Sequence, residues 1–344
     1  MKRFHCPNCS NEVHFDTHTC VRCGQSQGYA PEAMDMQLLR DDGTGPRRCL
    51  NADGAGCNWL VPEGDTSALC AACKHNNVVP DPSFSGNRQR WAEIELAKRR
   101  LIYALDRWAL PHPTREDNAG LALAFDFLAE IPEPDGRTET VLTGHADGLI
   151  TVNIAEGDDV IRTERQSAMD ESYRTLIGHM RHEVGHYYWQ TLVGPSPALD
   201  EFRKLFGDER ADYAQALKTH YETGAPDGWQ DAYISAYATT HPWEDFAETW
   251  SHWMHIVDGL ESAAAYGLAP LDDDGKPSGL AGDPYAVRDI GPVIEAWVPL
   301  TVAVNNLNRG MGQPDLYPFV LSRPVEEKLD FINRLIHGAA AGRG

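Results

Sequence analysis

His182-Glu183-Val184-Gly185-His186 is an H-E-x-x-H sequence within a proline-free stretch, Leu176 to Leu192, that reads as a helix. At 3.6 residues per turn, side chains four positions apart lie one above the other. Both imidazoles therefore project from one face and can share a metal ion. Glu183 follows the first of them, beside the metal and not on it, where a general base for an activated water is needed. A five-letter pattern also arises by chance on a polar helix surface, so the reading needs a third ligand and a scaffold. His179, three residues before His182, shares nearly the same face. It either touches substrate or hydrogen-bonds to a neighbour.

The third ligand is sought in His241-Pro242-Trp243-Glu244-Asp245-Phe246-Ala247-Glu248-Thr249-Trp250. Pro242 suits the first turn of a helix, and on that helix Glu244 and Glu248 share a face. A catalytic zinc with two histidines takes one further protein ligand and keeps one position open. Glu244 fits as that ligand. Glu248, one turn on, fits as the acceptor that orients a ligating imidazole. His252 and His255 are rival third ligands. An acidic surface face is the competing structural reading, but these carboxylates stand among Trp243, Phe246 and Trp250, where unpaired charge is costly. Asp245 points elsewhere on the helix.

All 8 cysteines precede residue 74. Cys6-Pro7-Asn8-Cys9 and Cys20-Val21-Arg22-Cys23 are two C-x-x-C turns, able to close a tetrahedral Cys₄ site for structural zinc, with iron as the minor alternative. Cys49, Cys57, Cys70 and Cys73 form a second quartet in which only the last pair has the tight spacing. It is either a second structural zinc site, covered by Trp59 and Leu60, or a set of buried thiols. His5, His14 and His18 read as surface residues. The segment is poor in large apolar side chains, so metal is expected to hold it folded.

The chain has 344 residues, 42% of them hydrophobic. Its net charge is −21 and its pI about 5.0. That acidity disfavours nucleic acid and anionic membrane as partners. No apolar run approaches the roughly 18 residues of a membrane span, and the first residues show no apolar signal core. A soluble, cytoplasmic protein is expected. Three regions follow: 1–77, a zinc-ribbon region with two Cys₄ sites; 78–118, a linker and an amphipathic helix over roughly Arg88 to Leu110; and 119–344, a mainly helical domain with a small sheet. In the amphipathic helix Lys98, Arg99 and Arg100 read as a solvated basic face. From Gly120 to Gly157 the period is two: a strand near Leu123 to Phe127, another at Thr140 to Gly144, and the clearest at Gly148 to Ile154, expected at a sheet edge where an extended peptide can pair. Pro132, Pro134, Asp135-Gly136 and Asp147-Gly148 are turn signals. Asp170-Glu171-Ser172 is expected to start the H-E-x-x-H helix and Gly194-Pro195 to end it. Helices are expected at Asp200 to Phe206, Asp208 to Tyr221, Pro292 to Leu307 and Pro324 to Ile336. The fold class is α+β.

The C-P-N-C start, Gly56-Cys57-Asn58-Trp59, the segments around His182–His186 and His241–Trp250, and Asp315-Leu316-Tyr317-Pro318-Phe319-Val320 resemble the bacterial zinc-binding metallopeptidases with an N-terminal zinc ribbon. The likeness spans nearly the whole chain. The site is also similar to the gluzincin group, in which the third ligand of anthrax lethal factor begins a Glu-x-x-Ala-Glu segment, as Glu244 does here. A tyrosine seven residues earlier corresponds to Tyr237, and the resemblance implies that it assists the oxyanion. The 58 positions from His186 to Glu244 exceed the spacing in thermolysin, which inserted helices before Ala236 would explain. The resemblance implies a zincin-like metallopeptidase domain, a peptide or protein substrate, Zn²⁺ at one catalytic and one or two structural sites, and a protein partner for the ribbon. The competing readings are a zinc-stabilised protein-binding adaptor with a catalytically idle H-E-x-x-H site, and a zinc hydrolase acting on something other than peptides.

Overall fold

The computed structural model describes residues 1–40, 42–130, 141–162, 175–272 and 274–341. The expected helix start at Asp170-Glu171-Ser172 and the turn signals Pro132, Pro134 and Asp135-Gly136 lie outside the described residues. Two compact units divide the chain: a ribbon unit, Arg3–Asp106 with His112–Glu183, and a helical unit, Met1–Lys2 with Arg107–Pro111 and Val184–Gly344. The fold is α+β, a zinc-ribbon module followed by mostly helical structure with small sheets.

The ribbon unit opens with three short antiparallel pairs: β1 (Phe4–His5) with β2 (Glu12–Val13), β3 (Gln27–Ala30) with β4 (Asp35–Leu38), and β5 (Arg47–Arg48) with β6 (Leu60–Val61). The module is less poor in core material than its composition suggests. Phe15 packs edge-on against Tyr29, Trp59 and Tyr103, with Tyr29 and Trp59 4.8 Å apart between ring centres. Tyr103 belongs to α1 (Asn87–Arg107), so this helix supplies part of the ribbon's core. The helix buries Trp91, Ile94, Leu101 and Leu105 as the periodicity requires. It also buries Lys98 and Arg99, which corrects the expectation of a solvated basic face. The cause is a buried acid: Glu95 accepts a 2.9 Å bond from Lys98 Nζ, and Arg99 donates to the carbonyl of Gly56. Only Arg100 of the three is exposed.

A four-stranded sheet follows in the same unit, in the order β7 (Asn76–Val78), β8 (Ala124–Leu128), β10 (Leu149–Asn153), β9 (Gly144–Ala146). Strand β10 is parallel to β8 and antiparallel to β9. The expected edge position of the Gly148–Ile154 strand is therefore corrected: β10 is internal, and among the described residues β9 and β7 are the edges. The reason is that β9 folds back beside β10 and pairs with the edge that β8 leaves open. Asp147 and Gly148, with φ of 48° and 80°, make the two-residue turn that joins β9 to β10. Two positive φ values match the twist of a tight hairpin.

Helix α2 spans Leu176–Tyr188. It then widens into a π turn, Trp189–Val193, instead of continuing as α-helix to Leu192. The helical unit adds α3 (Leu199–Leu205), α4 (Tyr213–Thr223), α5 (Pro242–Tyr266), α6 (Ile290–Gly310) and α7 (Arg323–Ala341). The 25-residue α5 is its central element, burying Phe246, Trp250, Trp253, Ile256 and Val257. Pro242 occupies its first turn, and His241 caps it, with Nδ1 accepting from the Trp243 backbone N–H. Among the described residues no helix is long and apolar enough to cross a membrane.

Candidate metal centre

Gly185 lets α2 and α5 approach closely. A Cβ there would lie 2.9 Å from Ala247 Cα and 3.2 Å from Trp250 Cβ. Tyr188 stacks on Trp250 at 4.7 Å and 20°. This contact brings His186 Nε2 to 3.5 Å from Glu244 Oε2, with Glu244 only 1% exposed. His182 stands one turn earlier on the same continuous helix. The ligand atoms of His182, His186 and Glu244 all lie within 4.8 Å of one another. The separation of 3.5 Å is long for a hydrogen bond but close to the edge of a tetrahedral zinc site, about 3.3 Å for metal–ligand bonds of about 2.0 Å. Two imidazoles and one carboxylate fit a zinc ion that keeps an open position.

The two cysteine quartets are each gathered into one cluster. Cys6 and Cys23 Sγ are 3.6 Å apart, Cys9 and Cys20 3.7 Å, Cys57 and Cys70 3.6 Å, and Cys57 and Cys73 3.7 Å. These distances rule out disulfides at those pairs and approach the edge of a zinc tetrathiolate, about 3.8 Å for Zn–S bonds of about 2.3 Å. The second quartet closes despite its loose spacing because a helical turn at Ala52–Ala55, ended by left-handed Gly56, returns the chain from Cys49 to Cys57. Trp59 is fully buried, but its ring contacts are with Phe15 and Tyr29.

Around Glu244 the second oxygen, Oε1, accepts a 2.7 Å hydrogen bond from Tyr213 Oη at the start of α4. Sequence reasoning missed Tyr213. The one signal was Asp212, which caps α4 by accepting from Gln215 N and so fixes where the helix starts. Glu248 accepts a 2.6 Å bond from Ser235 Oγ. Asp245 is buried on another side of α5, bonded to Lys328 Nζ at 2.6 Å. Tyr237 sits half-buried in a single 3₁₀ turn, its ring edge-on to His220 at 5.8 Å. His252 binds Tyr317 Oη through Nδ1 at 2.8 Å and packs on Phe319, outside the His182, His186 and Glu244 group.

His179 faces two carboxylates: Nδ1 lies 2.7 Å from Glu156 Oε2 and Nε2 3.3 Å from Glu183 Oε1. Burial favours the neutral ring, but the charges of Glu156 and Glu183 outweigh it and raise the imidazole to about 9.

Two cysteine quartets and a His–His–Glu group on a mostly helical α+β scaffold define a zinc-binding protein with a zinc-ribbon module. Residues 3–84 match a family described as a zinc-ribbon domain, and residues 87–335 match one described as "Putative zinc-binding metallo-peptidase". The chain belongs to that metallo-peptidase family. It is 41% identical over 341 residues to uncharacterized proteins of Mycobacterium tuberculosis and Mycobacterium bovis, covering 99% of this chain and 96% of each relative. No solved structure matches it significantly.

Proposed function

We propose that the protein is a zinc-dependent peptidase of gluzincin type, with His182, His186 and Glu244 as ligands of one catalytic zinc and Glu183 as the general base. The observation that carries this is the grouping of three ligand atoms within 4.8 Å beside a carboxylate on the same helix. Zinc bound there supplies Lewis acidity, polarising a peptide carbonyl and activating water. Glu183 accepts the proton of the attacking water and returns it to the leaving amine. Tyr213 holds the orientation of Glu244 through Oε1. Its hydroxyl being so engaged, Tyr237 is the tyrosine proposed to assist the oxyanion. Glu248 acts as an orienting carboxylate on the same helix. The two cysteine quartets are read as two structural zinc sites, giving three ions per chain. A peptide or protein is the substrate, and an extended peptide would pair with the edge strand β9.

The test is Glu183→Gln. The variant should retain zinc at the wild-type ratio and lose peptide hydrolysis by at least about two orders of magnitude, the lower end of what general-base catalysis contributes. Retained turnover in the purified variant would overturn the mechanism. No cleavage of a proteome-derived peptide library by the wild type would overturn the peptidase reading itself.

A further inference from the structure

Glu156 is nearly inaccessible to solvent, and both of its carboxylate oxygens are held. Oε1 accepts a 2.6 Å bond from Thr143 Oγ1, and Oε2 is 2.7 Å from His179 Nδ1. The turn carrying it is fixed in several ways. Asn153 caps the turn by accepting from Ala155 N, and its own amide donates to Glu130 and to the carbonyl of Val141. Arg162 donates to the carbonyl of Glu156. Gly157 lies so close to the backbone of Arg90 that a Cβ would come within 2.4 Å of its carbonyl oxygen. The sheet end and α1 thus present a carboxylate whose position is over-determined. On the far side of the imidazole, Nε2 stands 3.3 Å from Glu183 Oε1. With a carboxylate oxygen at each nitrogen, the ring satisfies both by carrying both protons.

We propose that His179 is a positioning residue for Glu183. Anchored by Glu156, it donates through Nε2 to one oxygen of the Glu183 carboxylate and fixes its rotamer, so that proton exchange with the reacting water falls to the other oxygen. This rests on the peptidase reading above. It adds two residues, His179 and Glu156, to the machinery, and both act through Glu183 and not on substrate or metal. A base held in this way loses no time to rotamers that face away from the reacting water, which is the orientation effect that small misplacements forfeit.

Two measurements test it. First, His179→Leu should lower kcat by about 10- to 100-fold with KM within about twofold and zinc content unchanged. His179→Gln, whose amide nitrogen can stand in for Nε2, should recover most of that loss. Glu156→Ala should resemble His179→Leu. An unchanged kcat in His179→Leu, or a parallel loss of zinc there, would overturn the proposal, as would equal loss in the Gln and Leu variants. Second, thermal midpoints are compared for His179→Leu, Glu183→Ala and the double variant. The pair should be non-additive, with the double variant losing less than the two single losses combined; additive shifts would overturn the contact. The midpoints need no turnover. Absence of hydrolysis in the wild type would thus sink the peptidase reading while this cycle still judges the His179–Glu183 pair.

Discussion

Gly185→Ala sets two effects of known size against each other at the centre of the candidate site. Alanine is the better helix former by about 1 kcal/mol, so an isolated α2 would gain from the change. In the folded protein the new Cβ meets Ala247 Cα at 2.9 Å, Ala247 O at 3.2 Å and Trp250 Cβ at 3.2 Å. Two of these are main-chain atoms, which no rotamer change can move aside. Overpacking of this kind typically costs about 1–3 kcal/mol. The helices relieve it by separating by several tenths of an ångström. Metal sites tolerate ligand distances within about 0.2 Å, and the same separation carries His186 away from Glu244. We expect a net loss of up to about 2 kcal/mol in urea unfolding, and zinc affinity at this site reduced at least about tenfold in competition with a chelator. An alanine variant that is more stable than wild type and binds zinc equally well would refute the close-packing argument.

Tyr213→Phe removes the 2.7 Å bond to Glu244 and should weaken zinc binding by about 10- to 100-fold, read by chelator competition, with little change in helix content. Lys328→Met strands the buried carboxylate of Asp245, whose side chain is 1% exposed. It should cost about 3–5 kcal/mol in denaturant unfolding, and the double variant with Asp245→Leu should recover part of it. The imidazole of His179 is raised from 6.5 to about 9 in the fold. Its contribution is therefore complete below about pH 6.5 and is lost as pH rises through about 9, amounting to about 3 kcal/mol at most. The stability gap between metal-free wild type and His179→Leu should shrink over that range. A gap that widens with pH would contradict the sign.

The sequence by itself determined what is local. Four-residue steps place His182 with His186 and Glu244 with Glu248, because an α-helix repeats every 3.6 residues whatever surrounds it. Cysteine spacing marked Cys6/Cys9, Cys20/Cys23 and Cys70/Cys73 for the same reason, since each of these pairs lies within one turn of chain, whereas Cys49 and Cys57 meet only through the helical turn between them. Pro242 and Asp147-Gly148 likewise announced a helix start and a turn through their own backbone limits. Tertiary structure decided the rest. Lys98 and Arg99 are internal because Glu95, and for Lys98 Asn76 as well, reach them; periodicity shows which residues share a face but not what covers it. Strand β10 is internal because β9 folds back beside it, which alternation along one strand cannot reveal. Tyr213 meets Glu244 from 31 positions away, and Glu156 meets His179 from 23. Contacts of that range depend on how elements pack, so residues that hold another group in place leave no periodic trace in the chain.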